Sequence, residues 1–290
     1  MNINMEFLTM EANSAQTGVL PPDFCNHPTF QALNEHELDL ARPALTASSF
    51  LNPDGSWSLK RLADRLEQIS NMIHWLEQER PRIEQALQTR LNRYTTAPIP
   101  ADLQYVLYAG GTDGGFAPDS NALYLNMTLY SRHDTFMDTL AHECYHAREK
   151  GRSALKRREE FSTRGPLQRI LMAAAEEGIA TLVQFDGLLE NDHAAKRYRP
   201  APEGAAQLCS LLTQYSAGRL TGVELESAFF NSDCCYSAGL YIAHGIWSRF
   251  GREGLDLWSR DSNLDSYLHR FASCPQAVQW PSEALNMLMP

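Results

Sequence analysis

Between residues 103 and 130 the chain drops the helical period that it keeps on either side, and this interruption limits the folds open to it. Before it, Leu59, Leu62, Leu66, Ile69, Ile73 and Leu76 recur at intervals of 3, 4, 3, 4 and 3, which is one face of a helix. Asp54-Gly55-Ser56 supplies a turn and a cap ahead of that helix. Pro81 kinks or ends it, Ile83 to Tyr94 form a second helical piece, and Thr95 to Pro100 break the pattern. Leu103 to Tyr108 then read as a strand. Asn121 to Tyr130 read as another, with Leu123, Leu125, Met127 and Leu129 on one face by the period of two. After Tyr130 helical spacing returns over Asp134 to Lys150, Leu167 to Leu189, Ala205 to Ala217, Tyr236 to Phe250 and Leu264 to Ala272. Helices, a small sheet and more helices make an α+β fold dominated by helix, whose edge strand, near Leu123 to Met127, is expected to border a cleft.

The first 50 residues show little periodicity and carry Pro21, Pro22 and Pro43, so they read as an irregular lead-in with one short helix near Phe30 to Ala41. The pattern breaks suggest an N-terminal region over 1–100, a central region over 101–255 and a helical tail over 256–290, in one compact unit or closely packed lobes. The double-glycine run Gly110-Gly111-Thr112-Asp113-Gly114-Gly115 lacks the Lys-Ser/Thr ending of a phosphate loop and does not lead into a helix, so it is expected to be a hairpin or loop connection.

A net charge of -10 disfavours nucleic acid and anionic membranes as main partners, because both need a basic footprint. No run of about 18 apolar residues is present, so no membrane span is expected. Residues 1–16 lack a basic region followed by a long apolar one. The expected compartment is the cytoplasm, with a signal-less secretion route left open. The six cysteines, at 25, 144, 209, 234, 235 and 274, form no CxxC pair and are read as free buried thiols. The basic run Lys156-Arg157-Arg158 is read as a solvated surface.

The chemistry concentrates in His142-Glu143-Cys144-Tyr145-His146. Residues four apart on a helix lie about 40° apart around its axis, so both imidazoles can face one tetrahedral ion. Glu143 falls about 60° from His146, beside the ion and able to reach a water without being a ligand itself. Cys144 lies about 180° from the midpoint of the two histidines and, with Phe136, Leu140 and Ala147, belongs to the opposite, core-facing stripe. A third ligand is offered by Glu176-Glu177, two adjacent acids in the apolar run Ala173 to Ala180, which are costly to bury without a partner. The other histidines, 27, 36, 74, 133, 193, 244 and 269, share no ligand spacing.

His142-Glu143-x-x-His146 followed by Glu177-Gly178-Ile179-Ala180 resembles the gluzincin metallopeptidases, the thermolysin and aminopeptidase group, and above all bacterial zinc-dependent peptidases with a short catalytic domain. The resemblance covers roughly residues 103–255. It implies a mostly helical zincin-like fold with a small sheet ahead of the His142–His146 helix. It also implies Zn2+ held by His142, His146 and Glu177, and a peptide or protein substrate. Tyr236-Ser237-Ala238-Gly239 resembles the Tyr-x-x-Gly that opens a late helix in the aminopeptidase branch, which implies that Tyr236 hydrogen-bonds the oxyanion. Two features depart from the pattern. Thr181 stands where the thermolysin branch has an aspartate, and Asn121-Ala122-Leu123-Tyr124 replaces the aminopeptidase strand signature, so amino-terminal exopeptidase specificity is not implied.

The mechanism expected is hydrolysis by metal-activated water, with Glu143 as general base and Tyr236 as oxyanion donor. Two other readings share the same residues: a zinc hydrolase of a non-peptide amide or ester, and a non-catalytic binding protein that keeps the fold. A third is a chance motif in a helical interaction protein.

Overall fold

The first helix of the chain, α1 (Glu6–Thr17), escapes a periodicity reading because half of its buried face is polar: Phe7 and Leu8 are joined there by Glu11 and Ser14. A computed structural model describes residues 1–118, 121–148, 164–189 and 200–288. The chain forms two compact units. The first comprises Met1–Ala86 and Pro100–Ala147; the second comprises Leu87–Ile99 and Arg148–Pro290. In this division the N-terminal helices share a unit with the His142–His146 helix.

In the first unit, strand β1 (Asn2–Asn4) and α1 are followed by α2 (Pro28–Asp39), α3 (Ala47–Leu51), α4 (Leu59–Ala63), α5 (Leu66–Gln78) and the start of α6 (Arg80–Leu91). The expected helix over Leu59 to Leu76 is thus two helices, interrupted at Asp64 and Arg65; of the predicted face Leu59, Leu62, Ile69 and Leu76 are buried, Leu66 and Ile73 are half-buried, and Met72 joins the buried side. Pro81 stands at the second residue of α6, where a missing N–H costs nothing. Strands β2 (Gln104–Tyr108), β3 (Gly115–Phe116) and β4 (Ala122–Asn126) come next, and α7 (His133–Ala147) closes the unit.

The sheet order is β1-β2-β4-β3, with β1 and β4 both parallel to β2, and β3 antiparallel to β4. This corrects the edge-strand expectation. β4, which carries Leu123, is paired on both sides; the edges among the described residues are β1 and the two-residue β3. The glycine run leads from β2 into β3. The strand expected to reach Tyr130 stops at Asn126, whose buried Oδ1 accepts from the Thr128 amide (3.1 Å) and hydroxyl (2.6 Å) and turns the chain into a short 3-10 helix over Met127–Leu129. Leu129 consequently points to solvent.

The second unit is helical: α8 (Pro166–Gln184), α9 (Ala201–Ser216), α10 (Gly222–Phe230), α11 (Cys234–Ser259), α12 (Leu264–Ala272) and α13 (Ser282–Leu288). The helix expected to end at Phe250 does leave helical geometry at Gly251 (φ 62°), but the chain resumes helix and runs on to Ser259. Residues Leu87–Ile99 belong to this unit through buried Asp256, whose carboxylate accepts from the Thr96 amide (3.0 Å) and from the hydroxyls of Thr95 (3.1 Å), Thr96 (2.7 Å) and Ser259 (3.0 Å). Among the described residues no helix is long and apolar enough to cross a membrane. All six cysteines are free. The run Lys156-Arg157-Arg158 and His193 lie outside the described residues.

Candidate metal centre

α7 divides its two faces as the spacing predicts. Phe136, Leu140 and Cys144 are fully buried, and Ala147 nearly so, on the core side. The Cys144 thiol lies against the Tyr105 hydroxyl at 3.9 Å, and burial pushes its pKa far above the usual thiol range, so it is an inert core group.

On the other face the Nε2 atoms of His142 and His146 lie 3.0 Å apart, with both side chains buried. A tetrahedral zinc with Zn–N bonds of about 2.0–2.1 Å needs its two nitrogens about 3.3 Å apart, so the pair fits the ion with a small adjustment. Two imidazole nitrogens turned towards each other are the donor set that such an ion requires. Glu143 stands beside them, also buried. Its Cγ packs against the backbone of β3 so closely that a Cβ on Gly115 would lie 3.0 Å from it and 2.6 Å from the Tyr124 carbonyl oxygen. Only glycine lets the strand pass there.

The second unit carries the paired acids on α8. Glu176 is fully engaged. Arg148, 1% exposed and next in sequence after α7, donates from Nη1 and Nη2 to the two Glu176 carboxylate oxygens, both at 3.0 Å. The Trp258 indole N–H adds a third bond, 2.9 Å to Oε2, while Arg148 Nε donates to the Ser259 carbonyl at 3.0 Å. Such a bidentate fork is the strongest common pairing of a carboxylate.

Glu177, the next residue, projects about 100° away around the helix. Thr181 sends its hydroxyl back to the Glu177 carbonyl at 2.6 Å, a bond inside the helix rather than a buttress for a histidine.

Glu177-Gly178 and Tyr236-x-x-Gly239 meet backbone to backbone. A Cβ on Gly178 would lie 2.2 Å from the Gly239 carbonyl carbon, and one on Gly239 would lie 2.3 Å from the Ala174 carbonyl oxygen. The two motifs therefore sit at the crossing of α8 and α11. Tyr236 is half-buried in the first turn of α11. Its neighbour Cys235 has a thiol pushed up by burial and, next, by the Glu177 carboxylate, which places Glu177 at that same end of α11.

Three contributors were not read from the sequence. Arg148 and Trp258 gave no periodic or motif signal. Gly115, in the run Gly110 to Gly115, reads as turn material. The nearest clue to Arg148 is a basic residue two positions after His146 in a chain with an unexplained pair of acids at 176 and 177.

A helix with a buried histidine pair and a flanking carboxylate, in an α+β setting, has the form of a zinc hydrolase centre. Residues 25–268 match the model of the family described as "Putative zinc dependent peptidase (DUF5700)", and the chain belongs to that family. Its cofactor is accordingly Zn2+. Comparison with curated proteins and with solved structures gave no match.

Proposed function

We propose that the protein is a gluzincin-type peptidase in which His142, His146 and Glu177 hold the zinc, each offering one ligand atom. The observation that carries this reading is the 3.0 Å approach of the two histidine Nε2 atoms on one buried face of α7, with Glu143 beside them. The choice of Glu177 over Glu176 is supported by the Arg148 fork, which occupies both Glu176 oxygens.

Bound there, zinc supplies a Lewis acid that polarises the scissile carbonyl and makes water a better nucleophile at neutral pH. Glu143 accepts the proton that the attacking water gives up as its oxygen bonds to the carbonyl carbon. The same carboxyl then passes that proton to the amine nitrogen as the C–N bond breaks. The Tyr236 hydroxyl donates a hydrogen bond to the carbonyl oxygen as negative charge gathers on it. The burial of Glu143 and both histidines keeps bulk water from competing with these contacts.

The test is elemental analysis of protein reconstituted at neutral pH, paired with digestion of an internally quenched peptide library. One zinc per chain and chelator-sensitive cleavage are expected. Absence of zinc sinks the metal site. Full zinc with cleavage of amide or ester probes alone sinks the peptidase assignment.

A further inference from the structure

The segment from β2 to β3 ends against Glu143, and backbone and side-chain groups of the N-terminal region hold it at several points. The Ala109 amide donates to Glu11 Oε2 at 2.8 Å, and the Gly111 amide donates to the Ser56 carbonyl at 3.0 Å. Gly110 and Gly111, both at positive φ, wrap so closely over Trp57 that a Cβ on either would come within 2.8 Å of its ring. Asp113 is gripped hardest. Arg42 donates to its two carboxylate oxygens at 2.6 and 3.2 Å, and His36 Nε2 lies 3.3 Å from Oδ2. Glu37 holds Arg42 in turn at 3.0 Å. The His36 ring stacks on Phe116 with centroids 3.9 Å apart, and Phe116 stacks on Tyr124 at 4.6 Å. From the other side, Tyr130 donates to the Gly114 carbonyl at 2.6 Å and Asn126 Nδ2 to the Asp113 carbonyl at 3.0 Å.

We propose that His36 and Arg42 are positioning residues for the reaction: through Asp113 and Phe116 they hold the Gly114–Phe116 backbone against the Glu143 side chain and so fix the orientation of that carboxylate. This assigns a catalytic purpose to the N-terminal helices, and it rests on the peptidase reading above. The physical case has two parts. Gly115 touches Glu143 with no room for even a methyl group, so a shift of β3 opens space into which the carboxylate can rotate. The edge strand β3 has only two paired residues, too few to hold itself in place. Burial works against the Asp113 carboxylate, but the bonds from His36 and Arg42 outweigh it and lower its pKa to about 2, so the tether is charged throughout the neutral range.

The experiment uses the full chain with two near-isosteric changes, Asp113→Asn and Arg42→Gln. Each should keep one zinc per chain and a KM within about twofold on a peptide cleaved from the library, while kcat falls about 10- to 100-fold, the usual cost of a misplaced catalytic group. Gly115→Ala, which disturbs the same contact from the strand itself, should give the same kcat phenotype. The Asp113→Asn/Gly115→Ala double variant should be no slower than the slower single one, because both act through one contact. Amide hydrogen exchange over residues 113–116 should rise in both tether variants, with β4 still protected. A kcat within twofold of the parent in both, or fully additive rates in the double variant, overturns the proposal. If the parent cleaves no peptide, the peptidase reading falls by itself. The tether is then judged by exchange alone: unchanged protection over 113–116 overturns it.

Discussion

Gly178 and Gly239 are in backbone contact at the crossing of α8 and α11, one residue past Glu177 and three past Tyr236. Neither tolerates a Cβ without moving a helix, since the nearest clashing atoms are backbone. Gly178→Ala and Gly239→Ala should each cost about 1–3 kcal/mol by overpacking, read as a lowered denaturation midpoint at unchanged m-value. A variant as stable as the parent would show that the helices can separate freely.

The adjacent acids of α8 should fail in different ways. Glu177→Ala should lose zinc while the chain stays folded. Glu176→Ala should leave the buried Arg148 guanidinium without its main partner, at a cost of about 3–5 kcal/mol. Glu176→Gln, which keeps part of the pairing, should still bind one zinc. Zinc analysis alongside thermal melting separates the two. Zinc lost in Glu176→Gln and kept in Glu177→Ala would move the ligand by one residue.

Glu143→Gln keeps the side chain's shape but cannot accept a proton. Zinc content should be that of the parent, and turnover should fall about 100- to 10,000-fold. A near-parental rate on a verified substrate would remove Glu143 from the role of base.

Tyr236→Phe deletes only a hydroxyl. If that hydroxyl meets charge that exists only in the transition state, kcat should drop about 100- to 1,000-fold with zinc affinity and KM little changed. An unchanged kcat makes Tyr236 a packing residue.

Glu11 should make the fold weaker at neutral pH than in mild acid. Complete burial raises its pKa well above the ordinary 4.5, against the smaller opposing effect of the Ala109 amide, so the folded state favours the protonated form. The penalty is absent below about pH 4.5 and grows as pH rises towards the folded-state pKa. Glu11→Gln, which still accepts from Ala109, should therefore melt higher than the parent at pH 7, with the gap closing as pH approaches 4.5. A gap that widens in acid would contradict the assignment.

Helices with regular apolar spacing were legible in the sequence, and α12 falls on the predicted Leu264–Ala272. So was the orientation of α7, because i, i+4 histidines with an apolar back face leave little choice. α1 was hidden because Glu11 and Ser14 sit where apolar residues would be counted. The position of β4 inside the sheet was hidden as well, since strand order depends on β1, three residues from the far end of the chain. Adjacent acids are equivalent to any periodicity argument. Only the partners of Glu176, at positions 148 and 258, tell them apart.

The bonds from Thr95, Thr96 and Ser259 to Asp256 set an order of events during synthesis. Residues 1–147 leave the ribosome before residues 148–290 and contain every part of the first unit, which can close around the His142–His146 helix early. Residues 87–99 emerge within that stretch, yet the Asp256 carboxylate that Thr95 and Thr96 bond lies some 160 positions downstream and does not yet exist. A nascent chain stopped short of Asp256 would leave the Thr95 and Thr96 hydroxyls without the carboxylate they bond, and the second unit could not complete its core. A fragment beginning at Arg148 has the converse defect: its buried Asp256 carboxylate would lack the Thr95 and Thr96 donors from which it accepts.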